Sequence, residues 1–112
     1  MKMTVLEYLS ADGTSPFRSW LEQLDGSVRP RIQARVYRFE LGNLGDHKSV
    51  GGGVSESRLD FGPGYRIYFG RDGLKIILLL PGGDKSSQAG DIQRAQEYWQ
   101  RYLEVKKHGK KN

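Results

Sequence analysis

Residues 54–80 read VSESRLDFGPGYRIYFGRDGLKIILLL, and the fold is decided here. Val54–Phe61 and Tyr65–Gly70 alternate residue by residue, the pattern of side chains pointing in turn to the two faces of a strand. Gly62-Pro63-Gly64 and Arg71-Asp72-Gly73 are turn clusters, so three strands joined by two hairpins are predicted. The run Ile76–Leu80 is apolar on both faces, which suits an interior strand better than an edge. A three-residue Gly-Pro-Gly connection would pair Phe61 with Tyr65 and Arg58 with Tyr68. Ser55, Ser57, Leu59 and Phe61 then share one face with Tyr65, Ile67 and Phe69, while Glu56, Arg58, Arg66 and Tyr68 share the other.

Working outward, residues 3–9 (MTVLEYL) favour a strand that ends in the turn cluster Ser10, Asp12, Gly13. Ser15 offers a cap and Pro16 a first helical position, and Phe17, Trp20, Leu21 and Leu24 recur at helical spacing up to Asp25-Gly26. Ser27 opens a second predicted helix. Its apolar positions Val28, Ile32, Val36 and Phe39 lie on one face, with Arg31, Arg35 and Arg38 on another and Gly42 as the stop. Residues 42–53 (GNLGDHKSVGGG) read as a surface loop able to approach a ligand or partner closely, with Lys48 as its cation. Beyond the last strand, Gly82–Ser87 is a break, and Ile92, Ala95, Trp99 and Tyr102 mark a third helix from Gln88. Residues 105–112 form a basic tail expected to be disordered. The predicted order is β-α-α-β-β-β-α, an α+β single domain over residues 1–104.

The 112 residues suffice for one hydrophobic core, and Cys 0 removes disulfide frameworks and thiolate zinc sites. No apolar run of ~18 residues could span a bilayer and no leader for secretion is recognisable, so the cytoplasm is the expected compartment. Lys+Arg 18 against Asp+Glu 13 gives a formal charge of +5. That balance favours a polyanionic partner, since cations that neutralise phosphates release counterions.

Two stretches could carry chemistry. Arg58 and Arg66 fall beside Tyr68 on one strand face, and adjacent cations require a carboxylate such as Glu56 or Asp60, or a bound phosphate matching the planar guanidinium. A solvated face with an Arg–Glu pair and an anion site both satisfy the pattern. The junction PGGDKSSQ (81–88) places glycines, Lys85 and a helix start together, where Ser86 or Ser87 would cap the last helix and an anion would also be favoured. It lacks the spacing of a nucleotide-binding Walker loop. His47 and His108 are the chain's two histidines, one in the predicted loop and one in the predicted tail, which gives a metal cluster or a Ser-His-Asp arrangement little support. Trp20 and Trp99 lie on apolar helix faces and read as core residues. The stripe Arg31, Arg35, Arg38 is either a solvated helix face or a grip on a phosphate backbone.

Three segments taken together resemble a known family: FRSWLEQL (17–24), the stretch 29–70 with GNLGDHKSVGGGVSE and GPGYRIYF within it, and LLLPGGDKSSQAGDIQRAQEYW (78–99). The chain resembles toxins of the RelE/ParE superfamily, in the HigB-like branch called addiction module killer proteins. The resemblance implies a RelE-like fold, a twisted sheet packed by helices, and a cognate antitoxin, of helix-turn-helix type, through which alone the toxin would meet operator DNA. It implies a cytoplasmic, ribosome-dependent endoribonuclease acting on mRNA, without metal or other cofactor and away from any membrane. In that chemistry a 2′-hydroxyl attacks the adjacent phosphate and cations meet the developing charge. Arg66 matches the family's phosphate-stabilising arginine, Arg58 falls near a basic position of the preceding strand, and Lys85 matches a basic residue after the last strand. These three are the expected catalytic residues, with Lys48, Arg31, Arg35 and Arg38 as RNA-binding candidates. Where ribonuclease relatives carry Tyr or His around the final helix, this chain has Gln88 and Asp91. ParE-type relatives lack nuclease residues and block DNA gyrase by binding, which is the alternative reading.

Overall fold

The computed structural model describes residues 2–109. Ser15 accepts the Arg18 backbone N–H at 3.0 Å and Pro16 takes the first helical position, starting α1 (Pro16–Gln23). The next helix, α2 (Arg29–Glu40), begins one residue later than expected, from Val28. Ser27 is held out of the helix because its N–H and hydroxyl both donate to Asp25, at 2.8 and 2.9 Å. At its far end Gly42 adopts φ +85° and its N–H closes on Phe39, as a left-handed helix stop requires.

The strands are β1 (Thr4–Glu7), β2 (Asp46–Gly51), β3 (Val54–Leu59), β4 (Tyr65–Asp72) and β5 (Ile76–Leu79), followed by a 3-10 turn (Lys85–Ser87) and α3 (Gln88–Gly109). They form one mixed sheet in the order β1-β5-β4-β3-β2, with β1 parallel to β5 and the other neighbours antiparallel. The class is α+β, and β5 is interior, as its two apolar faces suggest. The element order differs from the expectation by β2, which occupies the stretch expected to be a loop. Asp46–Ser49 are all exposed, so this edge strand carries no apolar alternation to announce it, and its pairing with β3 holds it in place.

The β3–β4 register also differs. Leu59 faces Tyr65, Arg58 faces Arg66 and Glu56 faces Tyr68, two residues away from the expected pairing. Phe61 leaves the ladder because its carbonyl accepts the Gly64 N–H at 3.1 Å, and its ring packs on Tyr65 with centroids 5.3 Å apart. A two-residue slip preserves which side chain faces which way, so the predicted faces stand.

Those faces generate two cores. Phe17 and Leu21 of α1, Ile32 and Phe39 of α2 pack on Leu59, Ile67, Phe69, Ile77 and Leu79. On the opposite face Ala95 and Trp99 of α3 pack on Val54, Tyr68, Leu78 and Leu80. Each Leu, Ile, Val or Phe among them contributes about 1.5–3 kcal/mol on leaving water. Trp99 is seated between glycines: a Cβ at Gly53 would lie 2.4 Å from its Nε1, and one at Gly70 would lie 2.3 Å from its ring. The glycine-rich segment therefore approaches α3 of its own chain, and Gln96 caps it by donating to the Gly51 carbonyl at 3.1 Å. Gly70→Ala should cost about 1–3 kcal/mol by forcing a rigid indole from its seat, measurable as a lower urea midpoint. A midpoint equal to wild type would show that α3 can move outward freely.

The helix α3 continues to Gly109, where a disordered tail from 105 is expected. Tyr102 donates to Asp72 at 2.6 Å and Lys106 pairs with the same carboxylate, which ties this end to the β4–β5 hairpin. Burial and the Asp72 charge push the Tyr102 hydroxyl up to about 12. Residues 110–112 of the expected tail lie outside the described residues.

Candidate functional site

On the α3 face of the sheet, cross-strand pairing forms two rows. Asp46, Arg58 and Arg66 make one; Lys48, Glu56 and Tyr68 make the next. Glu56 is completely buried and stands between the two arginines, with Arg58 Nε 3.7 Å and Arg66 Nε 3.6 Å from its oxygens. Gln88, at the start of α3, donates to Glu56 Oε1 at 3.1 Å. The two guanidinium–Glu56 separations exceed hydrogen-bond length, so charge rather than hydrogen-bond direction holds the cluster. Glu56 Oε2, Arg58 Nε, Arg66 Nε and the Tyr68 hydroxyl are buried atoms without a hydrogen-bond partner among the described residues. Burial, reinforced by the negative Glu56 and Asp91, pushes the Tyr68 hydroxyl far above the usual phenol range.

The expected catalytic residues differ in access. Arg58 keeps 41% of its side chain exposed and reaches Asp46 at 3.2 Å, a surface pair that an arriving anion could replace at small cost. Arg66 keeps only 10%, and its Nη1 donates to the Gly64 carbonyl at 3.0 Å. Lys85 is exposed, and its Cβ and Arg66 Nη1 flank Gly64, lying 3.5 and 3.6 Å from where a Cβ on that glycine would stand. The loop is pinned there because Arg66 and Gly83 exchange backbone hydrogen bonds at 2.8 and 3.0 Å. Arg58, opposite Arg66 on the neighbouring strand, and Lys85, whose Cβ lies by Gly64 next to Arg66, thus stand at one corner of the sheet. Lys48, exposed on β2, shares their face.

The α2 stripe does not join them. Arg35 donates through Nη1 to Ser57 Oγ and to the Arg58 carbonyl, both at 2.8 Å, from the other side of the sheet. Burial and the neighbouring Arg38 charge lower its pKa. Arg31 lies over the Phe61 ring at 3.5 Å, a cation–π contact, and Arg38 is exposed on the same helix. Arg31 and Arg35 therefore brace the β3–β4 connection and the sheet edge.

The capping expectation at 81–88 also shifts by one element. Asp84 caps the 3-10 turn by accepting from Ser86 N at 2.8 Å, and Ser86 holds that carboxylate below the usual range. Ser87 instead donates its hydroxyl to Asp91, which is 8% exposed and packed on Gly83. Gln88 and Asp91 are thereby both engaged with the sheet corner. Asp46 escapes sequence reasoning because the strand carrying it has no apolar signature; once β2 is paired, its register opposite Arg58 follows. His47 sits on the outer strand with Nδ1 2.9 Å from the Gly45 carbonyl, and His108 lies 3.6 Å from Glu104 at the end of α3. Among the described residues no helix is long and apolar enough to cross a membrane.

The fold and this corner define a small α+β protein in which a buried carboxylate stands between one exposed and one buried arginine. No family model and no solved structure matches the chain. An uncharacterized protein of Haemophilus influenzae (strain ATCC 51907 / DSM 11121 / KW20 / Rd) is 45% identical over 83 residues, spanning 73% of this chain and 84% of that protein. The chain belongs to the same family as that protein.

Proposed function

We propose that this protein is the toxin of a type II toxin–antitoxin pair, a RelE/ParE-type, HigB-like endoribonuclease that cuts mRNA on the ribosome. The observation that carries the reading is the position of Arg58, Arg66 and Lys85 at one sheet corner with Glu56 between the arginines. In this reading the buried Arg66–Glu56 pair is the rigid support, and Arg58 and Lys85 face the scissile phosphate. As the 2′-hydroxyl attacks, charge grows on the non-bridging oxygens. Preorganised cations lower that barrier because they are already oriented when the charge appears. The 2′-hydroxyl proton leaves to water as the P–O2′ bond forms, the P–O5′ bond breaks to leave a 2′,3′-cyclic phosphate, and a proton passes from Lys85 to the departing 5′ oxygen. The partners are mRNA and the ribosome, with a helix-turn-helix antitoxin that masks the basic face and carries the complex to operator DNA. The setting is cytoplasmic.

One observation favours the alternative, gyrase inhibition by binding alone. Tyr68, the tyrosine in this cluster, is buried with its pKa raised, so it cannot serve as a base at neutral pH. A coupled translation reaction with a defined message, mapped by primer extension, separates the two. The nuclease predicts new RNA ends that require translating ribosomes. Intact message together with loss of gyrase supercoiling would transfer the assignment to the gyrase reading.

A further inference from the structure

Around the corner from the cations lies a second concavity, of about 380 Å³, between the start of α1 and the first turns of α3. Trp20, Tyr98, Arg94, Pro81 and Gly82 are among its walls. Helical spacing marks Trp20 as a core residue, yet it is only half-buried, whereas Trp99 is 6% exposed. The indole reaches the wall because residue 82 is glycine: a Cβ there would stand 2.6 Å from Cη2 and 2.7 Å from Cζ2. The same Cβ would be 2.5 Å from the Arg66 carbonyl, so the Trp20 ring and the Arg66 backbone both crowd the place where a side chain on residue 82 would stand. Tyr98 is held by its ring contact with Tyr8, centroids 5.1 Å apart and tilted by 42°. Arg94 is 58% exposed and pairs with Asp91 at 3.6 Å, which joins this wall to the polar cluster beneath α3.

Two aromatic rings and a planar guanidinium around a space of this size suit a flat, electron-rich heterocycle better than an aliphatic or a simple anion. Nucleobases stack on such surfaces, and arginine adds a cation–π or edge contact. We propose that this concavity binds a nucleobase of single-stranded RNA, the nucleotide flanking the one whose phosphate meets Arg58 and Lys85. The inference rests on the nuclease reading for its flanking position, and on the pocket alone for base binding.

The probes are the four ribonucleoside 5′-monophosphates, added to the full chain and followed by ¹H–¹⁵N NMR, in which Trp20 and Trp99 supply separate indole signals. The Trp20 signal should move on saturation while that of Trp99 stays. Arg94→Ala and Arg94→Lys should both weaken the nucleotide about tenfold, the lysine because it keeps charge but loses the stacking plane. An unmoved Trp20 signal at millimolar nucleotide overturns the proposal. Equal movement with inorganic phosphate overturns it too, since an anion at Arg94 would then explain the response. A short RNA distinguishes this failure from that of the nuclease reading. If Arg58→Ala weakens the RNA and Arg94→Ala does not, the pocket proposal falls alone; if only Arg94→Ala weakens it, base binding stands and the phosphate assignment falls.

Discussion

Glu56→Ala is expected to destabilise the protein by about 3–5 kcal/mol, the range found when one partner of a buried ion pair is removed. The carboxylate is fully buried, Arg66 is 8% exposed, and Arg58 stands directly opposite Arg66 on the neighbouring strand. Without Glu56 two like charges face each other across a ladder, one of them out of water. The Gln88 amide also loses its acceptor. Glu56→Gln tests the cause: it keeps volume and hydrogen-bonding capacity but loses charge, so a loss close to that of alanine identifies charge as the main contribution. Added salt should recover little, because screening acts weakly on buried groups. Glu56→Leu combined with Arg66→Met should be more stable than Glu56→Leu alone, since the orphaned charge leaves with its partner. Urea midpoints of the four variants decide the matter. A Glu56→Ala protein within about 0.5 kcal/mol of wild type would mean that water reaches the arginines and that Glu56 is no rigid support.

What the sequence discloses and what it hides follow from where hydrophobic information lies. The faces of β3 and β4 are legible because Leu59, Ile67 and Phe69 must enter one core while Val54 and Tyr68 enter the other, and alternation records that demand. Register is not, because Phe61 can continue the alternation or leave it, and the turn closed by the Gly64 N–H on the Phe61 carbonyl makes the choice. The strand β2 is hidden for a related reason: an exposed edge needs backbone partners, not apolar side chains, so DHKSVG looks like loop. The glycine segment reads as open to a ligand, whereas Gln96 and Trp99, forty-odd residues later, are what it is shaped to meet. Pattern and resemblance point to the cations of the candidate site. Their unequal access is invisible in the sequence, since burial of Arg66 depends on Gly64, Gly83 and Glu56 converging on it.

That inequality yields the largest functional expectation. Arg58→Ala and Lys85→Ala should each lower ribosome-dependent cleavage by about 10²–10³-fold, the usual effect of removing a preorganised group from developing charge. Both should remain folded: the Lys85 side chain is exposed, and without Arg58 the buried Glu56 still has Arg66 3.6 Å away, so that variant loses some stability but not its fold. Arg66→Ala would also abolish cleavage, but it removes the partner of a buried carboxylate, so its inactivity alone cannot distinguish a lost phosphate contact from a lost fold. Arg66→Lys is the more informative change: it retains a cation beside Glu56 while losing the planar guanidinium. Arg35→Ala supplies the opposite control, since its guanidinium braces Ser57 and the Arg58 carbonyl from the far face. It should lower the urea midpoint yet leave the cleavage rate of the folded fraction near wild type. The double variant Arg58→Ala with Lys85→Ala should lose less than the product of the single losses, because groups acting on one transition state are not additive. If instead the two single variants cut message at the wild-type rate while Arg35→Ala does not, the working face would be the α2 side, and the helical arginines rather than the strand corner would be the ones that meet RNA.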